Sequence, residues 1–263
     1  MAGSRDNGRW KVRGVSVTGY SHLRDGVECQ DAHRHLHEPT TGAYVLAVAD
    51  GAGSRPRSAE GATLAVGLAV EELGGRLARG GVPDDPDAWK RFLEDGFEAI
   101  VELFNTTTQR IGNSPGEFAA TLTAVVLAPP WLGIVSLGDG IVLTGAEPAE
   151  DESGLHLVMA APPAGQYVNE TCFLSSDGAY DQVEICCLHD PELEALLLGT
   201  DGVTPLAVKR DGAAPRPNRT FVEPVLHSLV ARSDPAEVSR LLLEERLTRL
   251  SADDKTLLAA VRT

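Results

Sequence analysis

The chain has 263 residues, 43% of them apolar and 23% charged, which is ordinary for a folded protein with a sizeable core and excludes disordered and fibrous classes. A formal charge of −15 argues against nucleic acid or an anionic membrane as the main partner. The start, "MAGSRDNGRWKVRG", carries charges but no apolar segment of the signal-peptide kind. The most apolar stretch, "TLTAVVLAPPWLGIVSLG", is broken by Pro129 and Pro130, so no run of about 18 apolar residues is left to span a membrane. Cys29, Cys172, Cys186 and Cys187 have neither metal-clip spacing nor the pattern of a disulfide framework, and a reducing, cytoplasmic setting is expected.

In chain order, residues 1–9 are expected to be disordered. "WKVRGVSVTGY" reads as a strand, "SHLRDGVECQDA" as a loop and "HRHLH" as a second strand. "AYVLAVAD" is a continuous apolar run, as expected of a strand covered on both faces. Residues 58–79 repeat apolar positions at helical spacing and stop at "RGG". Asp84, Asp85 and Asp87 are placed to start a second helix, whose broad apolar face carries Trp89, Phe92, Leu93, Phe97, Ile100, Val101 and Phe104. From residue 118 strands dominate: "FAATLTAVVLA", "WLGIVSLGD", "IVLTGA", "LHLVMA", "TCFLSS", "VEICCL" and "ALLLGTD". "EPAEDESG" reads as a solvated hairpin tip and "RDGAAPRPNR" as a loop. Amphipathic segments at 220–232 and 235–250 precede a last strand, "TLLAAVR". This order predicts an α+β sandwich, a packed β core with helices outside, rather than an alternating βαβ fold.

Seven Asp-Gly pairs occur, and most such pairs are turns, so the dipeptide alone says little. Context separates them. Three end apolar runs: "VLAVAD" at Asp50, "GIVSLGD" at Asp139 and "ALLLGTD" at Asp201. Two further acidic sites border strands, Asp31 in "CQDA" and Asp253–Asp254 in "SADDKTLLAAV". Carboxylates gathered in one cleft resist ionisation unless cations neutralise them, and an all-oxygen donor set suits Mg²⁺ or Mn²⁺ rather than zinc. The pattern points to a two-metal hydrolase.

The ordered set "QDA", "VADGAG", "AATLTAVV", "LGDG", "LLGTDGV" and "DDKTLLAAV" resembles the metal-dependent serine/threonine protein phosphatases of type 2C. "SHLRDGVECQDA", "DGAGS", "YVNETCFL" and "TDGV" look most like a bacterial branch of that family. The resemblance spans about residues 14–262. It implies one type 2C phosphatase-like domain over 1–263, with a central antiparallel β-sandwich flanked by helices on both sides. It also implies that Asp50 bridges two Mn²⁺ or Mg²⁺ ions, that the Gly51 carbonyl binds one, and that Asp201 and Asp253 hold the other. By the same resemblance Asp31 supports the water network, and Asp139 joins Asp201 at a third, weaker ion. The implied reaction is hydrolysis of phosphoserine and phosphothreonine by a metal-bridged water attacking phosphorus in line, with no covalent phosphoenzyme.

Three positions depart from the family pattern. The arginine that clamps phosphate in many relatives is replaced at its usual place by Gly26, which makes Arg24 the nearest substitute. A histidine found after the first Asp-Gly in some relatives is Ala52, and the common "GDSR" is "GDGI", with Gly140 and Ile141. At "DDKT" the resemblance implies that Asp253 is the ligand, with Asp254 bonded to nearby backbone or orienting the loop before the last strand, so that Asp254→Asn is expected to be nearly silent.

The expected partners are a phosphoprotein substrate and a serine/threonine kinase or its targets. The alternatives are a catalytically silent phosphatase-like module that binds phosphoproteins or regulates a kinase, and a hydrolase of a small phosphorylated metabolite. His33, His35 and His37 alternate on one face of their strand, as a half-exposed edge strand does, although a metal comb would read the same way. Arg55 and Arg57 read as solvated loop residues, and Asn169 as a loop cap or cleft residue.

Overall fold

In the computed structural model the residues described are 9–112, 114–146, 154–160, 171–211, 214–229 and 235–263. The N-terminal eight residues, most of the acidic tip at 147–153 and Asn169 lie outside them. The strands are β1 (Trp10–Val17), β2 (Asp31–His37), β3 (Tyr44–Asp50), β4 (Leu122–Ala128), β5 (Trp131–Leu137) and β6 (Ile141–Ala146). They continue with β7 (Leu155–Met159), β8 (Glu184–His189), β9 (Leu193–Gly199), β10 (Val208–Lys209), β11 (Arg216–Pro217) and β12 (Lys255–Arg262). The helices are α1 (Tyr20–Asp25), α2 (Ser58–Gly80), α3 (Pro86–Ile111), α4 (Ala179–Gln182), α5 (Thr204–Ala207), α6 (Arg219–His227), α7 (Pro235–Leu242) and α8 (Glu245–Thr248).

Two five-stranded sheets, ordered β1-β12-β9-β6-β7 and β2-β3-β4-β5-β8, are antiparallel throughout. The side-chain period of two distributes the apolar run of β3 between two cores. Leu46 and Val48 face the other sheet and, with Val125 of their own sheet, share a core with its Val12, Leu198 and Leu258. Val45, Ala47 and Ala49 face outward and are covered by α2 and α3 through Ala65, Ala69, Leu73, Phe97 and Phe104. The outer face of the first sheet is covered in turn by Leu206, Phe221, Val225, Val238 and Leu242 of α5, α6 and α7. The result is the expected α+β, helix–sheet–sheet–helix sandwich.

The α3 start is capped as its sequence suggests: Ala88 N–H donates to Asp85 Oδ1 at 2.7 Å. Three local expectations need correction. The loop after β1 contains α1, closed by Gly26 in the left-handed region at φ 70°. "TCFLSS" is not a strand, because Phe173 N–H turns to Ser176 Oγ and Leu174 N–H to the Ala120 carbonyl instead of a ladder partner. The segment 235–250 is two helices, α7 and α8, broken at Leu243–Glu244.

A candidate metal centre at the mouth of the sandwich

Antiparallel register brings several strand ends to one place. Asp31 opens β2 directly opposite Asp50, which ends β3. Gly199, the last residue of β9, pairs with both Ile141 of β6 and Leu257 of β12. Asp139 therefore precedes β6, Asp201 follows β9 and Asp253 precedes β12 at the same end of the molecule. Asp50 comes from one sheet, Asp201 from the other, and Asp139 from the crossing between them.

Carboxylate oxygens of Asp50, Asp139 and Asp201 all lie within 4.8 Å of one another, each residue half-buried. Burial, then the charges of Asp31, Asp201, Asp139 and Asp253, holds the Asp50 carboxyl far above the ordinary carboxylate range. Burial and the charges of Asp139, Asp253 and Asp31 push Asp201 up to about 7. Asp139 is raised by burial and by Asp253. Asp31 is raised mainly by burial, against a 2.7 Å hydrogen bond that Thr200 Oγ1 donates to its Oδ2. One oxygen each of Asp31 and Asp139 is buried without a hydrogen-bond partner. Mutual repulsion, orphaned oxygens and an all-oxygen donor set are what a hard divalent cation relieves, so these residues fit such an ion.

Asp253 sits at the rim of this triad, exposed, its Oδ1 accepting the N–H of Asp254 at 2.9 Å. Its neighbour is different. Asp254 is 2% exposed and accepts the N–H groups of Gly19 and Gln30, both at 2.6 Å. Its backbone is gripped as closely: a Cβ on Gly202 would stand 1.9 Å from the Asp254 carbonyl oxygen, so residue 202 must be glycine for the two loops to touch. Asp254 thus ties the end of β1, the entry to β2 and the turn after β9 together. An amide there would forfeit an acceptor, which corrects the expectation of a silent Asp254→Asn.

Arg24 is exposed on α1 and forks onto Asp25, Nε to Oδ1 at 2.8 Å and Nη2 to Oδ2 at 2.9 Å. Arg57 is held by Glu60, by the Ile111 carbonyl and by the Phe118 ring, 4.2 Å from its centroid. Ile141, the last residue of "GDGI", is buried and joins the core under α5 and α6. The three strand histidines lie on edge strand β2, with His33 Nδ1 3.0 Å from Ser16 Oγ and His37 stacked on Tyr44.

Sequence reasoning missed three supporting residues. Thr121 accepts the Asp50 N–H at its Oγ1 (2.9 Å) and donates its own N–H to the Asp50 carbonyl (2.8 Å). Lys255 is fully buried, donates Nζ–H to the Asp253 carbonyl at 2.9 Å, and has its pKa lowered by burial. His22 has Nδ1 3.0 Å from Asp254 Oδ2. The threonine in "AATLTAVV" is a visible signal; nothing in "SHLRD" or "DDKT" marks the other two.

A profile of the family described as Protein phosphatase 2C matches residues 18–248. The chain is 26% identical over 265 residues to serine/threonine-protein phosphatase 3 of Escherichia coli strain K12, covering 96% of this chain and 98% of that one. A serine/threonine phosphatase from Staphylococcus aureus superposes with a TM-score of 0.65 at 15% identity over 100% of both chains. Serine-threonine phosphatase 2C from Toxoplasma gondii gives 0.65 at 13% identity, over 97% of this chain and 95% of that one.

Proposed function

This chain belongs to the protein phosphatase 2C family, and from that premise we propose that it hydrolyses phosphoserine and phosphothreonine in proteins, using Mn²⁺ or Mg²⁺. The observation that carries the reading is the convergence of Asp50, Asp139 and Asp201 from two sheets onto one point. Asp50, the Gly51 carbonyl, Asp201 and Asp253 would hold two cations, with Asp139 and Asp201 serving a third. Bound there, the cations would neutralise phosphate charge and make water acidic enough to attack phosphorus at neutral pH. The chain's own contribution is placement. Thr121 clamps Asp50 at both backbone atoms, Thr200 orients Asp31, and Asp254 fixes the loop that carries Asp253. Arg24 would meet the phosphate by exchanging its exposed fork on Asp25, a contact of little cost to break in water.

The phosphoprotein substrates would be products of a serine/threonine kinase in the same compartment. A cytoplasmic site of action is supported by four free cysteines. Among the described residues no helix is long and apolar enough to cross a membrane. Retention of Asp50, Asp201 and Asp253 disfavours a silent binding module.

The test is phosphate release from phosphoserine and phosphothreonine peptides and from an aryl phosphate, with Mn²⁺ and with excess chelator. Mn²⁺-dependent release from the peptides is expected. Full activity in chelator would remove the metal mechanism, and a metal-loaded protein inert on every phosphopeptide would favour the binding module.

A further inference from the structure

His22 stands between two loops of the metal centre without belonging to either. It lies on α1, whose Ser21 is tied to the 251–254 loop by N–H and Oγ–H bonds to the Ala252 carbonyl, at 3.0 and 2.8 Å. The His22 carbonyl accepts the Val27 N–H at 2.9 Å, so the short helix is closed at both ends. On one side of the ring, buried Nδ1 sits 3.0 Å from Asp254 Oδ2, a charge contact outside hydrogen-bond alignment. On the other, Nε2 approaches the loop that follows Asp50: a Cβ on Gly53 would be 4.0 Å from Nε2 and 3.7 Å from Gln30 Oε1. Gly53 is exposed, and apart from its chain neighbours these two are the only heavy atoms within 4 Å of where its Cβ would stand, so there is space beside Nε2. Gln30 Oε1 is buried and has no partner.

Resting on the phosphatase reading, we propose that His22 is the general acid that protonates the departing serine or threonine oxygen, with Asp254 beside Nδ1 holding the ring. The chemistry requires a proton donor, because an alkoxide is a very poor leaving group. The other groups nearby do not suit the task. The clustered carboxylates are committed to cations, Lys255 Nζ is buried on the Asp253 carbonyl, and a guanidinium such as Arg24 does not give up a proton. The charged groups facing His22 are Asp254 from the loop before β12 and Asp25 from its own helix. In the step, the water oxygen bonds to phosphorus while the P–Oγ bond breaks with its electron pair on Oγ. Nε2 gives its proton to Oγ, and the proton lost by the water returns the imidazole to imidazolium through solvent.

The test pairs leaving groups that need an acid with one that does not. In Mn²⁺-loaded His22→Gln and His22→Asn, kcat on a phosphoserine peptide should fall about 100-fold, yet stay within about threefold on 2,4-dinitrophenyl phosphate. An alkaline fall of kcat/KM on the peptide is expected of the wild type and should vanish in both variants, and Mn²⁺ affinity by calorimetry should be unchanged. An equal loss on both substrates, an intact alkaline limb or weakened Mn²⁺ binding would overturn the proposal. Should neither variant fold, the wild type still decides: its kcat across aryl phosphates of rising leaving-group pKa should stay nearly flat, and a steep fall refutes an acid at this site. A wild type inert on phosphopeptides would instead refute the phosphatase reading.

Discussion

Replacing each carboxylate of the Asp253–Asp254 pair by its amide should separate metal binding from folding. Asp254 accepts two backbone N–H groups at 2.6 Å in a site that is 2% exposed. Asparagine keeps one acceptor oxygen and turns an NH₂ group toward the second N–H. One charge-assisted bond is lost and one buried donor is stranded, together about 3 kcal/mol by the usual worth of such groups. For a domain of this size that loss lowers Tm by about 6–12 °C. Asp253 is exposed, and the bond its side chain accepts from the Asp254 N–H can be kept by an amide oxygen. Asp253→Asn should therefore melt within about 0.5 kcal/mol of the wild type, as surface substitutions do. It should lose Mn²⁺ affinity, because a cation gains far more from a carboxylate than from an amide. Thermal melts in chelator isolate the first effect and Mn²⁺ calorimetry the second. A stable Asp254→Asn that fails to bind metal, or an Asp253→Asn destabilised in chelator, would refute the assignment.

Asp139→Ala should keep two bound Mn²⁺ ions while lowering turnover; loss of all metal by calorimetry would put Asp139 in the primary pair. Arg24→Ala should raise KM for phosphopeptides and weaken inhibition by free phosphate, and unchanged kinetics would leave Arg24 as a surface residue. Glu38 is held at about 2, against its ordinary 4.5, by hydrogen bonds from Thr41 Oγ1 and the N–H groups of Thr40 and Thr41. A depressed carboxylate stabilises the fold above its unfolded pKa and loses that contribution as pH falls through the folded value. Glu38→Gln should accordingly be less stable than wild type at pH 7 and nearly equal near pH 2, by urea denaturation; an equal deficit at both pH values would contradict the linkage.

Much of the architecture was legible in local pattern. The continuous apolar run "YVLAVAD", helical spacing at 58–79 and the Asp85 cap are local features, and the structure repeats them in β3, α2 and α3. The acidic ends of apolar runs were legible for the same reason, since a strand that ends in Asp-Gly presents its carboxylate at the sheet's edge. "TCFLSS" shows the limit: its apolar residues are strand-like, yet side-chain and long-range backbone acceptors take its N–H groups.

What the sequence determined by itself is the set of strands, helices and acidic termini. Which members of that set act together was decided by tertiary contact. Asp253 and Asp254 are indistinguishable by composition and spacing, and they differ only because Gly19 and Gln30, more than 220 positions earlier, deliver N–H groups to Asp254. His22 is one histidine in a polar loop until α1 closes and sets it between Asp254 and Gly53. Periodicity reports only the neighbours that a residue has along its own element. A site assembled from the ends of five strands depends on register between strands far apart in the chain, and that register is settled by packing the two sheets face to face.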